Sequence, residues 1–179
     1  MFPIIQNYDS QSVESFEDYY QKWPQTLNHI PKEVVETWIY RHWSGFQDWL
    51  PLQPERWAYE LCEFTNEQIM EIGHVDDWPL QLRSWGRELL QGQYRKTTWL
   101  GKYMLEKGTT PTPIIIGKNF GSFAHPVEYD DENMKEPYQL IEGHMRLSYL
   151  MGMIMGHHCN LSKKHKVWVA TYPLNDDCA

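Results

Sequence analysis

Apolar positions recur at spacings of three and four through roughly the first hundred residues, and then the period changes. The stretch 10–22 predicts a helix opened by Ser10 or Ser12 and stopped by Pro24. Pro31 suits a first helical turn, and Val34, Val35, Trp38, Ile39 and His42 follow it as an amphipathic stripe. Pro54 opens a further predicted helix with Trp57, Leu61 and Phe64 on one side. Thr65 and Gln68 have capping-box spacing, which predicts a short helix through Ile72 ended by Gly73. Helices are also predicted over 80–91, with Gly86 as a weak point, and over 97–107, with Gly108 as the stop.

Beyond that point the pattern is that of strands. Pro113-Ile114-Ile115-Ile116 is a short β-branched run between proline and glycine, the mark of a buried strand. Residues 138–142 and 166–172 predict two more strands, and 143–155 a helix with Leu147, Leu150, Met151 and Ile154 on one face. The expected fold is α+β: a helical N-terminal part, residues 1–90, packed on a small α/β domain, residues 91–179. No long strand is expected before residue 80, and the three strands should share one small sheet. The segment 117–137 has no clear period, and a loop of that length inside a compact domain is expected to be functional or mobile.

Charge changes the picture. Residues 1–80 carry 14 acidic and 4 basic residues, a net of −10, whereas residues 81–179 net +2. The acidic half repels nucleic-acid phosphates, so DNA is not an expected partner. Two basic clusters, Arg83, Arg87, Arg95, Lys96, Lys102 and Lys107, then Lys163, Lys164, His165 and Lys166, read as solvated faces or as phosphate-facing ones. Six of the nine tryptophans lie in the first 80 residues. They suit either a tight helical core or a protein-binding face. An exposed patch of Trp43, Trp49 and Trp57 beside the Pro51–Pro54 connection would make this half the site of a protein partner. No apolar run of membrane-spanning length occurs and the first residues lack a signal-peptide pattern, so no membrane association is expected. Three scattered cysteines fit a reducing cytoplasm.

The chemistry concentrates in Glu142-Gly143-His144-Met145-Arg146, at a predicted strand-to-helix turn. Backbone N–H groups at a helix start converge with partial positive charge. Arg146 adds a fork of donors suited to phosphate oxygens, and His144 can move a proton near neutral pH. Glu142 could hold the imidazole, bind Mg²⁺ or act as a base. The alternative is that Arg146 pairs with Glu142 and His144 caps the helix. Arg146 is expected to face solvent, and Lys118 to reach the same phosphate if the strands run parallel. Gly143, His144, Met145, Arg146 and Lys118 are thus the candidate phosphate-binding residues, and Glu142 and His144 the candidate catalytic ones. Residues 117–121 are not a Walker loop. His157, His158, Cys159 and His165 lack paired zinc-ligand spacing, and Ser122, His125 and Cys159 form no nucleophile signature.

The succession P-I-I-I, L-I-E-G-H-M-R-L, amphipathic helix and V-W-V-A resembles the ParB/sulfiredoxin superfamily over about residues 95–172. The helix containing Trp99-Leu100-Gly101-Lys102 is similar to the one preceding that family's first strand. The resemblance implies a nucleotide or phosphorylated small molecule at the turn, with ATP, ADP or CTP and Mg²⁺ as the cofactors. It also implies phosphoryl transfer or phosphodiester hydrolysis if the protein is an enzyme, or a non-catalytic regulatory role if it is not. Gly143-His144-Met145-Arg146 lacks the cysteine of sulfiredoxins and the G-E-R-R of ParB clamps. It is nearest to the D-G-H-H-R of free-serine kinases, with Met145 in place of the second histidine. The few residues after the last strand leave no place for a helix-turn-helix, so site-specific DNA binding is not expected.

Overall fold

The computed structural model describes residues 1–8, 12–127 and 132–173. Helix accounts for 44% and strand for 18%, the strands forming a single mixed sheet, so the class is α+β. The chain divides into two compact units: Met1–Tyr59 with Tyr172 and Pro173, and Glu60–Thr171. The division falls at residue 59 rather than near 90, because the chain from residue 60 already supplies two strands and a long helix to the second unit.

In the first unit, α1 (Phe16–Gln21) starts later than its expected opening. Ser15 caps it by accepting from the Asp18 N–H, and Ser10 lies outside the described residues. α2 (Lys32–Val34) widens into a π-helical stretch, Val35–Tyr40, and α3 (Trp43–Gln47) follows. The tryptophans are the core. Trp38 stacks on Trp57 at 5.9 Å between ring centroids and meets Trp49 edge-on at 5.8 Å. Trp49 and Trp57 are only 3% and 1% exposed, which overturns the expected surface patch. The left-handed Gln53 (φ 53°) joins two short 3-10 turns and tucks Trp57 inward, and its indole N–H donates to the Leu52 carbonyl at 2.7 Å. With its one polar group paired, the Trp57 ring behaves as a large apolar body. Trp43 is half-buried against Phe46.

The second unit holds the sheet, in the order β1-β5-β3-β4-β2. The segment expected to be helical after Pro54 is instead β1 (Ala58–Thr65). Leu61 and Phe64, read as one helical side, fall on opposite faces of the strand, Phe64 buried and Leu61 exposed, and pairing beside β5 decides the outcome. α4 (Asn66–Met70) carries the expected capping box. β2 (Ile72–Gly73) is a further strand before residue 80, so with the eight-residue β1 the expectation of no long strand there does not hold. Helices α5 (Trp78–Gln91), α6 (Tyr94–Thr97) and α7 (Trp99–Lys107) follow, and Gly108 stops α7 at φ 72°. The three expected strands are β3 (Ile114–Lys118), β4 (Tyr138–Glu142) and β5 (Lys164–Thr171), with α8 (His144–Met155) between the last two. β3 runs parallel to β5 and antiparallel to β4, while β4 runs parallel to β2.

The core lies between the sheet residues Ile114, Ile116, Leu140, Val167 and Val169 and the helical residues Leu82, Leu89, Met104, Leu147 and Leu150. α5 and α8 cross at Gly86 and Gly152. Gly86 is therefore a contact that excludes side chains, not a weak point. Segment 117–137 is not without structure: Ala124 bridges Asn133, and Phe120 and Met134 are buried. Asp130 and Asp131 of its acidic run lie outside the described residues. Among the described residues no helix is long and apolar enough to cross a membrane.

Candidate functional site

Strand direction decides which candidate residues meet. Because β2 and β4 are parallel and β3 opposes them, the ends of β2 and β4 and the start of β3 share one edge of the sheet. Gly143 turns the chain there at φ 104°, and a Cβ on it would stand 2.8 Å from the Ile114 side chain, so both conformation and space call for glycine. α8 then begins with no side-chain cap. Its first-turn N–H groups, on His144, Met145 and Arg146, have no partner within the helix.

The side chains are arranged differently from the expectation. Arg146 does not face solvent. Its guanidinium donates to Glu142 Oε2 and Thr112 Oγ1, and the Arg146 and Glu142 side chains are 12% and 14% exposed. The ion pair weighed as the alternative reading is thus present, and it occupies the carboxylate considered for Mg²⁺. Met145 turns its sulfur toward Arg95, whose guanidinium also bonds the Tyr149 hydroxyl at 3.3 Å and the Glu88 carboxylate at 2.5 Å. Lys118 is removed from the turn. The antiparallel register puts it opposite Tyr138, whereas Glu142 lies opposite Ile115 at the other end of the strand.

His144 is not a cap either. Its Nε2 lies 3.0 Å from Nε2 of His74, which follows β2 directly. Nδ1 of His74 lies 3.1 Å from the Val75 carbonyl. Trp78, at the start of α5, covers both rings, with centroids 4.4 Å from His144 and 5.2 Å from His74. The His125 ring stands 5.0 Å from His74. It is carried there by the antiparallel pairing of residues 123–125 with 132–134, in which the His125 N–H donates to the Glu132 carbonyl at 3.0 Å. Glu132 in turn accepts from the Asp76 N–H at 2.8 Å, and that bond, then Lys135, holds its carboxyl below the usual carboxylate range. Two clefts flank this cluster. One of about 600 Å³ is lined by Asp76, Asp77, Trp78, Leu80, Ser84 and Trp85 among others. The other, of about 320 Å³, includes Gly73, His74, Arg83 and Lys135. Neither is lined by residues 142–146.

Burial first, and His74 second, push His125 down to about 4 from 6.5. Between those pH values the unfolded chain binds a proton that the native state refuses, so stability falls as pH drops through that window and is complete above it. Up to about 3 kcal/mol should be lost by pH 4. His125→Gln should flatten this slope in urea-unfolding curves recorded at successive pH values, and an unchanged slope would assign it to another group.

Of the remaining candidates, His165 is a structural tie. It is buried, with Nδ1 2.9 Å from Thr109 Oγ1 and Nε2 2.9 Å from Asn66 Oδ1. No group of three or more His, Cys, Asp or Glu among the described residues is placed to hold a metal ion. His74 and Trp78 escaped the reading of the sequence because they are distant from residues 142–146 along the chain, and His125 was weighed there only for a nucleophile signature. One signal was available in the repeated Gly-His pair, Gly73-His74 and Gly143-His144, which lies at the ends of two strands that prove to be parallel neighbours. The chain matches no protein-family model, no curated protein and no solved structure.

Proposed function

We propose that the protein binds a phosphate-bearing small molecule, a nucleotide or a phosphorylated metabolite, at the turn from β4 into α8. The observation that carries this reading is the uncapped first turn of a 12-residue helix beside the His144–His74 pair. An anion there gains the converging N–H groups and the helix dipole. His144, half-buried at the first helical position, supplies the side-chain donor. Arg146 acts from behind, as a cation already shared with Glu142, so the backbone and His144 make the ligand contacts. Trp78 offers an aromatic face for a base or another flat group. The resemblance to the ParB/sulfiredoxin superfamily supports the same turn and the same ligand class. With Glu142 committed to Arg146, His144 is the group left at the turn to move a proton, and this favours phosphoryl transfer over a reaction that needs a free carboxylate.

Thermal-shift and calorimetric titrations with ATP, ADP, CTP and inorganic phosphate, with and without Mg²⁺, test this. A ligand present at 100 times its dissociation constant should stabilise the protein by about 2.7 kcal/mol. His144→Gln should weaken binding at least tenfold, the order of one charge-assisted hydrogen bond. No response to any of the four ligands would defeat the reading.

A further inference from the structure

We infer that the outward face of α6 and α7 binds single-stranded nucleic acid, with Trp99 and Tyr103 as a stacking platform for bases and Lys96 and Lys102 as phosphate contacts. The inference uses none of residues 142–146 and stands or falls independently of the phosphate site.

α7 turns its aromatic side away from the core. Gly101 and Met104 are buried, whereas Trp99, Lys102, Tyr103 and Glu106 share another face at positions i, i+3, i+4 and i+7. Trp99 is 70% exposed, and Tyr94, which opens α6, is 78% exposed. The Trp99 and Tyr103 rings lie 5.7 Å apart between centroids and 32° from parallel, a ledge two rings long. The backbone beneath it is fixed. Thr98 Oγ1 accepts from the Gly101 N–H at 3.1 Å and donates to the Arg95 carbonyl at 2.8 Å. A Cβ on Gly101 would overlap that same carbonyl oxygen, so α6 and α7 meet in close contact where Trp99 emerges. A ring held in place before binding loses less freedom when a ligand stacks on it.

Charge selects the occupant. Residues 78–107, which form α5, α6 and α7, carry six basic residues and two acidic ones, a net of +4. Both acids are already engaged, Glu88 by Arg95 and Glu106 by Lys107. Lys96 and Lys102 make no ion pair among the described residues. The repulsion expected toward nucleic acid comes from residues 1–80, and this face has the opposite sign. A single strand brings one flat base and one negative charge per unit, which matches rings interleaved with ammonium groups. In a duplex the bases are stacked inside and cannot reach the ledge. None of the clefts described is lined by α6 or α7, so an extended chain laid across the ledge fits better than an enclosed small molecule. An interfacial membrane helix needs a broad aliphatic face. On α7, Met104 is buried and Leu100 and Leu105 are half-buried, which leaves rings and charges outward.

The test is fluorescence anisotropy of a labelled oligodeoxyadenylate of about 12 nucleotides, within the range of single-strand site sizes, titrated with the full chain. Affinity should fall as salt rises. Lys96→Gln and Lys102→Gln should each reduce the slope of log K against log salt by about 0.7, the value of one phosphate contact on a single strand. Trp99→Ala should keep the slope and weaken binding about tenfold, the order of one stacked base. It removes an exposed side chain, so its melting temperature should match that of the parent. An abasic strand of the same length should bind about tenfold more weakly than the oligodeoxyadenylate and should be indifferent to Trp99→Ala. No binding at low salt, an unchanged slope in both lysine variants, or equal affinity for the abasic strand would overturn the inference. So would polyglutamate bound as tightly as the oligonucleotide, which would reduce the face to a general anion contact. Trp99-dependent binding to phosphatidylserine vesicles with none to the oligonucleotide would make it a membrane contact instead.

Discussion

Arg146→Ala is expected to destabilise the protein by about 2–4 kcal/mol, because removing one partner of a largely buried ion pair leaves the other charge uncompensated. Glu142 is 14% exposed, and its Oε2 and Thr112 Oγ1 would each lose the guanidinium as a donor. The loss should appear as a lower urea midpoint with an unchanged m-value. Glu142→Ala should cost a similar amount. The double variant Arg146→Met, Glu142→Leu should cost far less than the two single losses added together, since the desolvation penalties disappear with the charges. Additive losses would mean that the pair does not couple, and Arg146 would then regain its place as a direct ligand contact. The consequence for assays is practical. Loss of nucleotide binding in Arg146→Ala alone cannot distinguish a missing ligand contact from a distorted turn, so His144→Gln is the cleaner probe.

Much of the second unit was legible because its signals are local. Three isoleucines between Pro113 and Gly117 could scarcely be anything but a buried strand, and the capping box at Thr65 and Gln68 is complete within four residues. Gly143 could be placed because it separates a strand pattern from a helical one. What escaped was whatever depends on partners elsewhere in the chain. β1 carries a helical spacing through Leu61 and Phe64, and the neighbouring β5 makes it a strand. Lys118 and Glu142 would have met in a parallel pair, and only the antiparallel register separates them. The density of tryptophan gave no measure of exposure: Trp38, Trp49 and Trp57 bury one another in the first unit. The candidate site shows the same division. The turn itself is a local motif, but His74, whose ring meets His144, directly follows the parallel neighbour strand, 70 residues earlier.

The crossing of α5 and α8 gives the second large effect. Gly152→Ala should cost about 2 kcal/mol net, even though alanine is intrinsically the better helix former by about 1 kcal/mol. A Cβ on Gly152 would lie 2.3 Å from the Gly86 carbonyl oxygen and 2.7 Å from its Cα. Both are backbone atoms, so relief requires moving a helix rather than turning a side chain. Such a shift also strains the 2.5 Å bond from the Ser148 hydroxyl to the Leu82 carbonyl, one turn along the same contact. The melting temperature should fall by roughly 4–8 °C for a chain of this size. Gly45→Ala, in α3, is the matched control: its Cβ would meet nothing within 4 Å, so the helix-propensity gain stands unopposed and stability should hold or rise by up to about 1 kcal/mol. Melting curves that shift equally for the two variants would show that the helices do not approach as closely as Gly86 and Gly152 allow. The position of Leu147 and of the turn that begins α8 would then have to be fixed by the sheet alone.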